Sequence, residues 1–180
     1  MSDHLPARAV HAWMAPRASL IAERANGEGR LLAYAFGAAF FLTLGPILAE
    51  AAAPTAQSAE DRTGWVAARL FTGLSFGVLA LYGVAALLNL GARLFGGASD
   101  GVGARAALFW SGFASGPVAV LAHVGGAAAG ASEWGGIAGG LLWCALLAPM
   151  TSAVYDFSRL RVATVFAAIA IAAFALKALA

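Results

Sequence analysis

The sequence predicts an all-α fold, a polytopic transmembrane helical bundle of five spans with its N-terminus in the cytoplasm and its C-terminus outside. Three observations carry this. The chain of 180 residues is 61% hydrophobic and only 11% charged, against about 25% charged in a soluble domain, and its mean hydropathy is +0.80. So few polar side chains cannot cover a globule of this size in water. An ordinary soluble domain, a disordered tail and a nucleic-acid module are excluded. Second, five long apolar stretches, four of them charge-free and the last carrying only Lys177 near its end, each match the length of roughly 20 residues that a helix needs to cross the bilayer. Third, the basic residues fall unevenly between the segments that join those stretches.

In chain order, residues 1–30 form an N-terminal segment carrying Arg8, Arg17, Arg24 and Arg30 beside Asp3, Glu23 and Glu28. A signal peptide places an apolar core directly after a short basic start; this segment does not, and is expected to be retained. Residues 10–24 suit a short amphipathic helix on the cytoplasmic surface, with Val10, Trp13, Met14, Leu20 and Ile21 toward lipid and Arg17 and Arg24 toward head groups. Pro16 interrupts it, so two short pieces fit equally. The expected spans are residues 31–49, 70–92, 107–126, 134–155 and 162–180, which with their connections make one transmembrane domain over 31–180. None alternates polar and apolar residues as a barrel strand does. The weakly hydrophobic tail Gly125–Ala131 goes to a connection. The last stretch lacks the charged face of an interfacial helix, which favours a span over a helix lying flat. Residues 50–64 read as the sizeable outer loop, and residues 96–104, with their glycines, as a flexible inner one.

Orientation follows from the basic residues. An inside N-terminus places Arg8, Arg17, Arg24, Arg30, Arg93, Arg105, Arg159 and Arg161 in the cytoplasm, and only Arg62, Arg69 and Lys177 outside. That obeys the positive-inside rule. The small net charge of +2 therefore concerns orientation more than affinity for an acidic partner. Trp65 and Trp134 fall at outer ends, and Tyr34, Trp110 and Tyr155 at inner ends, where aromatic belts sit; Trp143 does not fit a belt and is expected to pack. Abundant Ala, Gly and Arg suggest a GC-rich bacterial genome, and hence the bacterial cytoplasmic (inner) membrane.

Small residues recur four apart at Gly73/Gly77, Gly112/Gly116, Gly135/Gly139 and Gly136/Gly140. In lipid, helices associate where small residues let backbones approach, so these pairs are candidate packing faces, although 22 glycines also yield such spacings by chance. Pro46, Pro117 and Pro149 lie within or near spans and would kink them.

Little chemistry is visible. No Gly-Lys pair exists for a phosphate loop, no HExxH occurs, and His4, His11 and His123 with the single Cys144 do not make a metal site. No cofactor or metal is expected. Ionisable groups inside the bundle mark ion pathways, and His123 alone sits well inside a span. Gly73-Leu74-Ser75-Phe76-Gly77 matches G-x-S-x-G, so Ser75 and His123 are a candidate polar intramembrane site. A serine hydrolase built on them would need a strand-to-helix elbow that a continuous helix does not offer. Arg93 and Arg105 bracket the inner loop, as contacts for lipid phosphates or as topology anchors.

The segments Pro16-Arg17-Ala18, Leu90 to Gly97 (LGARLFGG) and Gly103 to Trp110 (GARAALFW), with the step Gly116-Pro117, resemble Yip1-domain membrane proteins, particularly short bacterial members. The likeness covers about residues 12–180. It implies a polytopic helical bundle without catalytic residues. In eukaryotes that family serves vesicle traffic with small GTPases, a role with no counterpart in a bacterium. The expected function is a non-enzymatic scaffold or accessory protein, with membrane lipids and other membrane proteins, or further copies of itself, as partners and no nucleic acid. The alternatives are a transporter or channel component for a small or lipid-like substrate, using Thr43, Thr72, Ser75, Asn89, Ser111, Ser115, His123 and Thr151, and the Ser75/His123 hydrolase.

Overall fold

The computed structural model describes residues 4–52, 59–97 and 101–157. They form six helices: α1 (Leu5–Met14), α2 (Pro16–Arg24), α3 (Glu28–Ala52), α4 (Ala59–Leu94), α5 (Gly101–Ala128) and α6 (Ser132–Tyr155). The last four are long and apolar enough to cross a membrane. The expected fifth span, 162–180, lies outside the described residues.

The charge-free stretches located the four long helices, but the helices outrun them. Most of the expected outer loop 50–64 is helical, since α3 continues to Ala52 and α4 starts at Ala59. Likewise α5 starts at Gly101, inside the expected inner loop. Charges mark the edge of the hydrocarbon, where a side chain must meet water, and a helix can continue past that edge with its polar turns solvated. At about 1.5 Å per residue α4 is some 54 Å long, well beyond the roughly 30 Å hydrocarbon core. Arg69 of α4 pairs with Glu50 of α3 at 2.5 Å and lies 4.9 Å from the Trp65 ring centroid, which joins the two helices just beyond their apolar stretches.

The helix ends are set by local chemistry. Gly96 has φ +83°, and the chain closes there with Gly97 N–H donating to the Ala92 carbonyl at 2.9 Å and Gly96 N–H to Arg93 at 3.0 Å. Gly130 repeats the pattern after α5, at φ +68°, with Ala131 N–H on Gly126 and Gly130 N–H on Ala127. Both are Schellman caps, whose left-handed residue is most easily a glycine. The second turns the chain straight into α6. Helix α5 runs on to Ala128, so the expected connection Gly125–Ala131 shrinks to its last three residues, because glycine and alanine continue a helix whose backbone bonds are already propagating.

The core lies between α3, α5 and α6. Ala35, Ala38 and Ala39 of α3 meet Phe109, Trp110 and Ala114 of α5 and Leu146 and Met150 of α6. Alanines on α3 permit this close approach, and the α5 aromatics fill the remaining volume. By contrast α4 rests on α3 and touches α5 less, and only 17% of its apolar stretch is buried, against 50% for α5. Tyr155 packs with Ala92 and Ala104, so the end of α6, the end of α4 and the start of α5 share one end of the bundle.

Candidate functional site

Three polar regions follow from this architecture. The first is made by the N-terminal segment. Helix α1 stops before Pro16, which starts α2, so the single surface helix is two pieces. Both fold back onto the bundle. Trp13 Nε1 donates to the Ala114 carbonyl at 3.3 Å, half-way along α5 and next to Phe113, whose carbonyl has no helical donor because Pro117 lacks an N–H. Ser19 Oγ accepts from Trp110 Nε1 at 2.8 Å. Leu20, expected toward lipid, is buried in the core, whereas Val10, Met14 and Ile21 are exposed.

Under this hairpin lies a buried carboxylate that the sequence reading missed. Glu23 is 2% exposed. It pairs with Arg8, accepts from the Tyr34 hydroxyl at 2.6 Å and from Asn26 Nδ2 at 3.2 Å. Arg8 also donates to Tyr34 Oη at 2.9 Å and lies 5.8 Å from the Trp110 ring centroid. Burial alone would lower the Arg8 pKa, but the Glu23 hydrogen bond and the nearby negative charge outweigh it and hold it above its ordinary value. Tyr34, Trp110 and Tyr155 are thus not an inner aromatic belt. All three are buried, with their polar atoms bonded to Glu23, Ser19 and Asn89. The belt reading failed because the hairpin covers Tyr34 and Trp110. Trp134 is 60% exposed, and Trp143 packs, donating to Ser111 Oγ at 2.9 Å.

The second region is a cavity of about 440 Å³ between α4 and the start of α5, lined by Tyr82, Ala85, Ala86, Asn89, Leu90, Arg93, Gly101 and Arg105. It brings the two candidate phosphate contacts, Arg93 and Arg105, to one site. Arg105 is braced: its Nη2 donates to Glu28 at 2.6 Å, its Nε to the Gly101 carbonyl at 3.3 Å, and its guanidinium lies 6.0 Å from the Tyr82 ring centroid. Asn89 Oδ1 accepts from the Tyr155 hydroxyl at 3.2 Å. In the sequence the two arginines flagged this place as phosphate contacts, and Asn89 was named only for a transport path; Asn89 and Tyr82 join the arginines because 82, 86, 89 and 93 share one face of α4.

The third region is the Ser75/His123 pair, which the fold does not bring together. Ser75 is exposed on α4. His123 lies between α3 and α6, against Gly45, Gly136 and Gly139, with Nδ1 2.9 Å from the Ala119 carbonyl. Helix α4 meets α3 at Ala39 and Thr43. Positions 43 and 45 point about 200° apart around a helix, so α3 stands between the two side chains. Of the other polar candidates in the spans, Thr43, Ser111, Ser115 and Thr151 each donate to a backbone carbonyl of their own helix.

The glycine faces divide. Gly73 meets Thr43 and Gly77 meets Ala39, so this pair seats α4 on α3. Gly112 faces Ala38 and Trp143, and Gly116 faces Phe41. A Cβ at Gly135 would stand 2.5 Å from the Ala122 carbonyl oxygen, and one at Gly139 would stand 3.3 Å from the Ala119 Cβ. Gly136 only touches the His123 ring at 3.5 Å, and Gly140 faces open space. Further contacts unmarked by four-residue spacing are Gly37 on Phe113 and Gly126 on the Gly135 backbone. No protein-family model, curated protein or solved structure matches the chain.

Proposed function

We propose that this is a non-enzymatic multi-pass protein of the bacterial cytoplasmic membrane, similar to Yip1-domain proteins, acting as a scaffold or accessory protein for other membrane proteins or for lipids. One observation carries the reading: α4 is long, lightly packed, and shows Phe71, Phe76, Leu79, Leu87 and Leu94 exposed along its length. Val78, Leu81, Ala85 and Ala92 turn into the bundle, and Phe76, Leu79, Leu87 and Leu94 lie on the opposite side of the helix, which is left for lipid or a partner helix. In the same reading the N-terminus is cytoplasmic. The chain leaves α6 at Phe157, beside Gly97, on the side where α5 begins. The apolar stretch 162–180 then makes a fifth span and brings the C-terminus outside.

A photoreactive phenylalanine analogue at position 76, 79 or 87 tests the partner role in native membranes. A discrete protein adduct, absent when the analogue replaces Phe113 in the core, is expected. Adducts with lipid alone at all three positions overturn the protein-partner role and leave lipid as what this face meets. Cysteine labelling in a Cys144→Ser background tests the topology, with Ser2→Cys protected in intact spheroplasts and Ala180→Cys labelled.

A further inference from the structure

We propose that the cavity between α4 and α5 binds a phosphate group, supplied by an anionic membrane lipid or by a small soluble phosphate ester. Its size falls within the range of small-molecule sites, about 300–1,000 Å³, at about 440 Å³. Two arginines line it from different helices, Arg93 from the last turn of α4 and Arg105 from the start of α5. Guanidinium is the side chain best matched to phosphate oxygens, because its planar fork donates two parallel hydrogen bonds. Arg105 is also preorganised. Glu28, the Gly101 carbonyl and the Tyr82 ring hold it, so little side-chain entropy is lost on binding. Asn89 adds an amide: with Oδ1 taken by the Tyr155 hydroxyl, its Nδ2 remains a donor. The first turn of α5 contributes the positive end of its dipole at Gly101.

The placement suits a lipid. The cavity lies where two membrane-length helices end, the depth of phospholipid phosphates. Its remaining wall, Ala85, Ala86 and Leu90, is apolar and borders the exposed Leu87 and Leu94, along which an acyl chain can run. Only this lipid arm rests on the membrane reading above; a soluble phosphate ester needs the cavity alone.

The test uses the full chain purified in a non-ionic detergent, titrated with phosphatidylglycerol, phosphatidylcholine, glycerol 3-phosphate and inorganic phosphate, and read by native mass spectrometry and thermal shift. Arg93→Gln removes one fork, and Ala86→Leu fills the cavity while keeping every charge. Arg62→Gln, at the other end of α4, is the control. Saturable phosphatidylglycerol binding, at least tenfold weaker in both cavity variants and unchanged in Arg62→Gln, supports a lipid site. Equal binding of glycerol 3-phosphate, with the same losses, supports the phosphate site and assigns a soluble source. Binding that survives Ala86→Leu, or no saturable binding of any of the four, overturns the proposal. Membrane fractionation of the same preparation reports separately on the membrane reading.

Discussion

At the scale of single residues, the strongest constraint is the buried Glu23. A carboxylate can be kept there because Arg8, Tyr34 and Asn26 meet it together. Removing one member of a buried ion pair leaves the other uncompensated and costs about 3–5 kcal/mol, whereas replacing both with apolar groups of similar size is often neutral. Arg8→Met should therefore lower the unfolding temperature in detergent sharply, and Arg8→Met with Glu23→Leu should recover most of the loss. Additive losses in that cycle would mean that the two groups act independently. The glycines offer a second comparison. At Gly135 a methyl group meets the fixed backbone of α5, and at Gly140 it meets open space. Gly135→Ala is expected to destabilise the α5–α6 hairpin by about 1–3 kcal/mol, the usual range for overpacking. Gly140→Ala should stabilise by up to about 1 kcal/mol through helix propensity. Equal responses in denaturant titrations would show that the close approach at Gly135 is absent.

At the scale of elements, the α1–α2 hairpin shows where sequence reading stops. Hydropathy finds a span because each residue partitions by its own chemistry, and α3, α5 and α6 were legible for that reason. Pro16 gave the break between α1 and α2 by its missing N–H. Nothing local in residues 4–26 shows that Ser19 meets Trp110, ninety-one positions away, or that Glu23 will be buried. Those contacts depend on the tertiary fold. An amphipathic pattern placed the segment on a surface, but that surface is partly the bundle itself. The same limit applies to the cavity: Arg93 and Arg105 were visible as charges, while the wall they share with Asn89 and Tyr82 required the register of α4 on α5. The hairpin's docking has a direct test. Trp110→Phe keeps the ring packing on Phe113, centroids 5.8 Å apart, but leaves Ser19 without its donor. Amide exchange and tryptic cleavage after Arg17 and Arg24 should rise at least severalfold, while the α5–α6 hairpin stays protected. Unchanged protection of residues 5–24 would show that the remaining contacts, the Trp13 bond to Ala114, the Glu23 network and the buried Leu20, hold the hairpin without the Ser19–Trp110 bond.

For the molecule as a whole, the distribution of apolar surface distinguishes a protein embedded in lipid from one in water. Four helices leave large side chains such as Phe36, Phe71, Leu79, Leu121 and Trp134 exposed, and apolar surface left open in this way marks a face for lipid or a partner. A charge placed on that surface responds oppositely in the two media. In water Phe76→Arg or Leu79→Arg would remove an exposed apolar group at almost no cost. In a bilayer each arginine near mid-span costs about 2.5–3.5 kcal/mol of insertion, and two on one helix should exceed what α4's hydropathy supplies. The double variant is therefore expected to lose most of its carbonate-resistant membrane fraction, and each single variant to lose part of it. Arg is the informative substitution, because its stem cannot reach either surface from the middle of so long a helix. The matched change Phe95→Arg, in the exposed cap at the end of α4 beside Arg93, should be silent, since there the guanidinium reaches water. Loss at positions 76 and 79 with none at 95 places the hydrocarbon boundary between them. Equal tolerance at all three would mean that this face of α4 does not contact lipid.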